Sequence, residues 1–223
     1  MDKSGAGEEE GLNATIYAEL RRKLVSGRIA PGHNLSTRGL ATELGVSQTP
    51  VRDALSRLAA EGAVEIRSKR RVHVPAMTAQ RFDDLLRCRL MLEPEAAVLA
   101  LPFIDAARLK RLRTIDAAVD KAIAQGDAVS YMEHNHAFHF TIYNAMGRPT
   151  MAQLIETLWL QFGPFMRTVY GRLGTAHFND QHQAAINALA SKNADALRQA
   201  IHDDINDGMG LIVRSGIIGA PGV

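Results

Sequence analysis

Five polar residues in the second half of the chain fall on the apolar faces of predicted helices. They are Arg89, Asn135, His139, His182 and Asp204. Burying such groups costs free energy unless they form hydrogen bonds with one another or bind a ligand. Two imidazoles, an amide oxygen and a carboxylate suit a divalent metal such as Zn²⁺ or Ni²⁺. The same side chains could instead form a closed hydrogen-bond network without a metal, and the sequence leaves both interpretations open.

Three of these residues belong to two helices whose apolar stripes can be read directly from the sequence. When about 100° is counted per residue along the helix predicted over 128–146, Asn135 and His139 lie one turn apart within its apolar stripe. On the helix predicted over 177–191, His182 also lies within the stripe. These positions predict that all three side chains face the interior of the domain.

The fourth predicted ligand comes from the last helix, 194–214. Asp204 lies about 60° from the centre of its inward face, whereas His202 lies about 100° away. We therefore favour Asp204 as the ligand and keep His202 as the alternative. Arg89 lies on the inward face of the helix predicted over 78–101. We predict that it binds one oxygen of a small carboxylate effector while the metal binds the other.

A second group of polar side chains lies near the N-terminus, in residues 45–62. The helix predicted there is apolar on one side, and the other side carries short polar groups around one guanidinium. Such groups can reach base edges and phosphates in the major groove of DNA. The predicted DNA contacts are Arg38, Ser47, Gln48, Thr49, Arg52 and Ser56, together with the basic segment Lys69, Arg70, Arg71 and His73.

The elements that must position this face are three short helices and a hairpin. The second and third helices are separated by a tight turn at Gly45, and Ser47 caps the third. Two alternating runs, Val64–Ile66 and Val72–Val74, flank a basic turn and predict a β-hairpin. Residues 13–75 hold eleven Lys/Arg and five Asp/Glu, a net charge of +6. Together these features predict a winged helix-turn-helix that binds DNA.

The rest of the chain has a helical pattern without strands, so the predicted fold class is mainly α. The winged helix-turn-helix is followed by an all-α bundle of six helices, predicted over 78–101, 105–125, 128–146, 150–171, 177–191 and 194–214. The predicted domains are a disordered acidic tail (1–12), the DNA-binding domain (13–76), a helical ligand-binding and dimerisation domain (77–215) and a C-terminal tail (216–223).

Composition excludes several other classes of protein. The 223 residues contain no apolar run long enough to cross a bilayer and no apolar signal segment at the N-terminus. The single cysteine, Cys88, fits a reducing cytosol, so we expect a cytoplasmic protein. The chain carries no HExxH, no Gly-rich phosphate loop and no GxSxG motif, so we predict that it is not an enzyme.

The stretch "LRRKLVSGRIAPGHNLSTRGLATELGVSQTPVRDALSRLAAEGAVEI" resembles the N-terminal domain of GntR-family bacterial regulators. The resemblance implies that Arg38, Arg52 and the residue at position 48 lie against the operator. Position 48 is usually Arg in that family and is Gln48 here. Gln prefers adenine where Arg prefers guanine, so we expect a different operator sequence. Arg71 stands where the family has a wing-tip glycine.

The second half resembles, more loosely, the all-helical FCD-type domain of the FadR subfamily, in the segments "RCRLMLEPEAA", "NHAFHFTIYNAMGRP" and "QHQAAINALASKNADALRQAIHDDI". Such domains often hold a metal through Asp, His, His and His, and the metal helps to seat a small carboxylate. Asn135 stands at the position of the family Asp and Asp204 at that of the last His, while His139 and His182 keep their types. Six helices rather than seven suggest the shorter, VanR-like version.

The sequence thus predicts a homodimeric transcription regulator that binds a double-stranded DNA operator. A homodimer is expected because one module of this size reads only a half-site. Its predicted effector is a small organic or sugar acid, seated on a bound Zn²⁺ or Ni²⁺. Two alternatives remain: a metal sensor without an organic effector, and a metal-dependent hydrolase with a DNA-binding appendage.

Overall fold

The computed structural model describes residues 4–32, 35–68, 71–173 and 181–218. Within these ranges the N-terminal part consists of α1 (Ser4–Val25), α2 (Thr37–Leu44), α3 (Gln48–Ala60), β1 (Glu65–Ser68) and β2 (Arg71–His73). The two strands pair antiparallel, with Ile66 opposite Val72, and Leu35 forms an isolated bridge to Val72. Three helices followed by a hairpin confirm the predicted winged helix-turn-helix.

Local sequence signals explain where the helices of this domain begin and end. The Ser36 side chain accepts a hydrogen bond from the Gly39 amide and caps α2. Gly45 ends α2 with a φ of 67°, a left-handed conformation that favours glycine. Ser47 is the N-cap residue of α3, but its side chain makes no capping hydrogen bond. The turn between α2 and α3 is therefore fixed mainly by Gly45.

The first helix is longer than the sequence pattern predicts. α1 begins at Ser4, so residues 4–12 are helical rather than part of the predicted disordered tail. The segment contains alanine and three consecutive glutamates, which are good helix formers, and these extend the helix beyond the apolar pattern that begins near Asn13. The apolar periodicity marks only the part of α1 that packs against the core, including Ile16, Leu20 and Leu24.

The C-terminal part is a bundle of six α-helices with two short 3₁₀ turns, as far as the described residues extend. The helices are α4 (Ala79–Ala100), α5 (Ala106–Gln125), α6 (Ala128–Tyr143), α7 (Pro149–Leu173), α8 (His182–Ala190) and α9 (Ala194–Arg214). The six predicted helices are confirmed, with two shorter than expected. α6 ends at Tyr143 and continues as a 3₁₀ turn, and α8 begins at His182, with Gln181 as its N-cap residue. The predicted helical residues 177–180 lie outside the described ranges.

The bundle is arranged around α4, α6 and α7. α4 packs against α6, α7 and α9, while α5 packs against α6 and α8. Inside the bundle, Trp159, Phe138 and Tyr143 are fully buried.

None of the helices in the described ranges combines the length and the hydropathy that crossing a bilayer requires.

The two parts of the chain meet where α1 crosses α7. A Cβ atom on Gly163 of α7 would lie 2.8 Å from the carbonyl oxygen of Val25. At the end of α1, Gly27 has a φ of 68°, and a Cβ there would lie 2.7 Å from the Cβ of Arg167. The backbones therefore approach so closely that only glycine fits at either position. This crossing attaches the DNA-binding domain to the bundle by direct packing.

We expect Gly163→Ala to lower the free energy of unfolding by about 1–3 kcal/mol, because the added methyl group meets backbone atoms that cannot move aside. Gly208→Ala is the matched control, since a Cβ at Gly208 in α9 meets nothing within 4 Å. The control should be neutral or stabilising by up to about 1 kcal/mol. Urea unfolding followed by circular dichroism measures both. Equal stability of the two variants would contradict the close approach.

Candidate functional site

The predicted DNA-binding side chains of α2 and α3 are all exposed to solvent. Val51, Leu55 and Leu58 of α3 are buried against the rest of the domain. The opposite face of α3 and the adjoining part of α2 are exposed, with Arg38, Ser47, Gln48, Thr49, Arg52 and Ser56 on them. A face of short polar groups around guanidinium groups can read base edges and bind phosphates. We call these six residues the recognition face.

Of the four predicted contacts on the hairpin, Arg71 and His73 lie within the described residues. Arg71 is exposed on β2. The His73 side chain is only 14% exposed, and its Nε2 lies 3.1 Å from Glu65 Oε2 on the neighbouring strand. The His73 imidazole therefore contacts a side chain of its own hairpin. The other two predicted wing contacts, Lys69 and Arg70, lie outside the described residues.

Three of the four predicted metal ligands meet in the bundle core. Candidate ligand atoms of His139, His182 and Asp204 all lie within 4.8 Å of one another. The Nε2 atom of His139 is 3.0 Å from Asp204 Oδ2. Two ligand atoms bound about 2.0–2.1 Å from one ion at usual angles lie about 3.0–3.4 Å apart, so this spacing fits a shared ion. We call these three residues together with Asn135 the buried cluster.

Asn135 lies one turn before His139 on α6. Its Oδ1 atom is buried and accepts no hydrogen bond from the described residues. A buried acceptor without a donor costs free energy, so this atom fits a position next to a cation. Asp204 rather than His202 contributes from α9. His202 is about half exposed, with its Nδ1 3.3 Å from Asp203 Oδ1.

A residue that the sequence reasoning missed orients His182. Asp116 of α5 places Oδ1 3.1 Å from His182 Nδ1, so Nε2 is the nitrogen that a metal would take. Carboxylates that hold the second nitrogen of a ligand histidine fix its tautomer and its ring orientation. The signal was present in the sequence. Asp116 lies on the apolar stripe of α5 between Leu112 and Val119, which are both fully buried.

A buried hydrogen-bond chain connects the cluster to Arg89. Tyr143 Oη lies 3.0 Å from His139 Nδ1 and donates to Glu93 Oε2, also at 3.0 Å. Trp159 Nε1 donates to the same carboxylate oxygen at 3.2 Å. Arg89 donates to Glu93 through Nε at 2.5 Å and through Nη2 at 3.3 Å. Arg89 therefore reaches His139 through two intervening side chains.

This chain changes the expected role of Arg89. The prediction placed its guanidinium directly opposite the open positions of a metal, but Glu93 already occupies two of its donors. The rings of Phe162 and Trp159 lie 4.0 Å and 5.0 Å from its Cζ atom. Opposite charges one helical turn apart pair when both are buried, which explains the arrangement. An effector carboxylate would have to share Arg89 with Glu93.

The charge states of the cluster follow from burial and from these contacts. Burial opposes ionisation of Asp204, but the hydrogen bond from His139, the charges of His139 and His182 and the Gln181 amide outweigh it. The pKa of Asp204 is therefore well below its usual value, and the carboxylate is anionic. Burial and then the charge of Glu93 raise the pKa of Tyr143 well above its usual value, so Tyr143 stays a neutral donor.

A winged helix-turn-helix joined to a helical bundle is the architecture of a DNA-binding regulator with a second, helical domain. Family comparison agrees with this class. Residues 12–74 match "Bacterial regulatory proteins, gntR family", and residues 84–207 match "FCD domain". The chain belongs to the GntR family of bacterial regulatory proteins and carries an FCD domain.

Individual relatives support the same assignment. The HTH-type transcriptional regulator McbR of Escherichia coli strain K12 is 27% identical over 93% of this chain and 96% of the relative. The solved structure of E. coli McbR/YncC has a TM-score of 0.86 at 26% identity and covers 91% of this chain and 97% of that one. The gluconate operon transcriptional repressor of Bacillus subtilis strain 168 is 27% identical over 86% of this chain and 81% of the relative. These relatives are named as regulators, which confirms that the chain is a transcriptional regulator and not an enzyme.

We expect Asp116→Asn to weaken Zn²⁺ binding by about 10- to 100-fold, because His182 loses the carboxylate that orients its ring. Asp120→Asn, exposed one turn further along α5, is the matched control and should bind Zn²⁺ like the wild type. Competition with a chromophoric chelator measures both affinities. An unchanged affinity in Asp116→Asn would show that this contact does not support a metal site.

Proposed function

We propose that this transcriptional regulator is a homodimer whose affinity for a DNA operator is set by a divalent metal and a small carboxylate effector. The observation that carries the proposal is the buried cluster, in which ligand atoms of His139, His182 and Asp204 meet. The Oδ1 atom of Asn135, one turn before His139 on α6, is buried without a hydrogen bond from the described residues. It agrees with what the sequence resemblance implied for this domain. A second copy is needed because one recognition face covers a single half-site.

The DNA-binding role rests on the recognition face. Arg52 lies at its centre on α3, and Arg38 extends it onto α2. A guanidinium can donate two hydrogen bonds to a guanine edge, whereas Gln48 suits adenine. We propose that these three side chains select the operator sequence and that the basic wing contributes contacts to phosphates. Because its target is DNA and its one thiol is free, we place the protein in the cytoplasm.

The metal role rests on donor chemistry. His139 and His182 would supply imidazole nitrogens, Asp204 a carboxylate oxygen and Asn135 an amide oxygen, a set that suits Zn²⁺ or Ni²⁺. The bound ion would supply positive charge on which a carboxylate can bind. Asp204 is ionised and Asp116 orients His182, so both donor groups are already suited to a metal before one binds.

The effector class is a small organic or sugar acid. A carboxylate bound to a metal needs a second contact that orients it. The buried guanidinium of Arg89 is paired with Glu93, and Glu93 accepts the hydrogen bond of Tyr143, which connects Arg89 to the cluster. One relative is named as a gluconate operon repressor, which makes a sugar acid a reasonable first probe. The pairing of Arg89 with Glu93 also favours a second candidate, a metal sensor without an organic effector.

Arg52→Ala should weaken binding to the preferred duplex by about 1–3 kcal/mol and relax its sequence preference, because a contact to a base edge is lost. The duplex is the one that the wild-type chain selects from a randomised library. Arg113→Ala, which removes an exposed charge from α5, is the matched control. Fluorescence anisotropy at several salt concentrations measures both variants. If Arg52→Ala bound like the control, the recognition face would be assigned wrongly.

Replacing both His139 and His182 by Ala should abolish Zn²⁺ binding and the Zn²⁺-dependent change in operator affinity, while metal-free DNA binding remains. His202→Ala, half exposed on α9, is the control and should keep both properties. Asp204→Asn removes the negative charge of the proposed ligand with little change in volume. It is the second test variant if the double variant folds poorly. Calorimetric titration of Zn²⁺, with and without gluconate, separates the metal sensor from the acid-responsive regulator. A normal Zn²⁺ response in these variants would place the sensing site elsewhere.

A further inference from the structure

The C-terminal end of α3 is held by two side chains from the helical bundle. Arg81 of α4 donates from Nη2 to the carbonyl oxygen of Gly62 at 2.8 Å. Gln161 of α7 donates from Nε2 to the carbonyl oxygen of Glu61 at 3.2 Å. The two side chains also bond each other, Arg81 Nη2 to Gln161 Oε1, at 3.0 Å. We call Arg81 and Gln161 the clamp.

The clamp fits the physical chemistry of a helix terminus. The last carbonyl groups of a helix lack partners within the helix, and a cation near them is favourable. Gly62 has a φ of 70°, and a Cβ there would lie 3.3 Å from Gln161 Cδ. The absence of a side chain at this residue thus lets Gln161 approach. The clamp satisfies the carbonyl groups of Glu61 and Gly62, the two residues that directly follow α3.

Within its own domain, the same end of α3 is fixed on a second side. The Tyr17 hydroxyl of α1 donates to the Glu61 carboxylate, and the guanidinium of Arg57 lies 3.8 Å from the centre of the Tyr17 ring. Because α3 is held firmly to α1, a displacement of the clamp would move the DNA-binding domain as a body. It would not simply unwind the end of the helix.

Both clamp residues lie on helices that hold the buried chain leading to the cluster. On α7, Gln161 follows Trp159 by two residues, and Trp159 donates to Glu93. On α4, Arg81 precedes Arg89 by eight residues, a rise of about 12 Å along the helix. A change at His139 therefore has two routes to α3, one along each helix, and both routes pass through Glu93.

The clamp also has room to move. It borders a cleft of about 510 Å³ between the wing and the bundle, lined in part by Glu65, Thr78 and Cys88. The Nε atom of Arg81 is buried and makes no hydrogen bond within the described residues, so the guanidinium is not fully satisfied in its present position. A shift of Arg81 into the cleft would not require repacking of the core.

We propose that Arg81 and Gln161 are positioning residues that set the orientation of α3 and transmit the state of the buried cluster to it. The transmitting role rests on the proposed metal response, whereas the positioning role does not. Neither side chain is assigned to contact DNA, metal or effector. Their effect on operator affinity would come entirely from where they hold the end of α3.

The test is hydrogen–deuterium exchange of the full chain, with and without Zn²⁺, combined with operator titration. Gln161→Ala is the principal variant, and Gln153→Ala, exposed two turns earlier on α7, is its control. Without Zn²⁺, residues 55–64 should exchange about two- to twelvefold faster in Gln161→Ala, with a comparable loss of operator affinity. With Zn²⁺, the wild type should gain protection both around His139 and in 55–64. The variant should gain it only around His139.

A second pair of variants keeps the outcome clear where Gln161→Ala folds poorly. Arg81→Met preserves the aliphatic stem and should reproduce both effects, whereas Arg87→Met, on the exposed face of α4, should not. Wild-type exchange in 55–64 for both clamp variants would overturn the positioning role. Zn²⁺-induced protection of 55–64 in those variants would overturn the transmitting role. If Zn²⁺ protects no part of the wild type, the proposed metal response fails, and the Zn²⁺-free comparison alone decides on the clamp.

Discussion

The ion pair between Arg89 and Glu93 lies at the centre of the bundle, where both side chains are buried. Removing two charges from water is costly, and the cost is offset only when good geometry and further hydrogen bonds satisfy every group. Here Tyr143 and Trp159 donate hydrogen bonds to the Glu93 carboxylate, and two aromatic rings lie near the Arg89 guanidinium. The pair therefore fixes α4, α6 and α7 relative to one another, because each helix contributes a side chain that the pair requires.

The same pair determines what the cluster can bind. Glu93 accepts a hydrogen bond from the Tyr143 hydroxyl, so the Tyr143 oxygen can accept one from His139 Nδ1, and His139 Nε2 lies 3.0 Å from Asp204 Oδ2. Between that nitrogen and an ionised carboxylate, either a proton or a metal ion satisfies both atoms. The sequence left open whether these residues form a closed hydrogen-bond network or a metal site. The same arrangement of side chains accommodates either one, with a proton or a metal ion between the two atoms. Binding of a metal there would compete with protonation.

Helical periodicity predicted the parts of the site that lie on strongly apolar stripes. His139 and His182 stood out because a polar residue inside such a stripe is conspicuous. Angular counting favoured Asp204, which lies 3.0 Å from His139, over the half-exposed His202. Asp116 also lies inside an apolar stripe, that of α5, but its pairing with His182 of α8 joins two helices and cannot be read from the spacing within one. The start of α1 was missed because residues 4–12 have helix propensity without an apolar pattern. Contacts between helices, including the pairing of Gln161 with Glu61, depend on the tertiary arrangement.

The attachment of the DNA-binding domain to the bundle combines interactions of unequal strength. Arg21 pairs with Glu156 at 2.9 Å, and Arg22 and Arg28 both approach Glu133 of α6 at 3.0 and 3.2 Å. These pairs are partly exposed, so water and salt screen them and each contributes little. The glycine crossing of α1 and α7 and the hydrogen bonds at the end of α3 are less accessible to solvent. These close contacts set the domain orientation, and the ion pairs add a weaker, salt-dependent contribution.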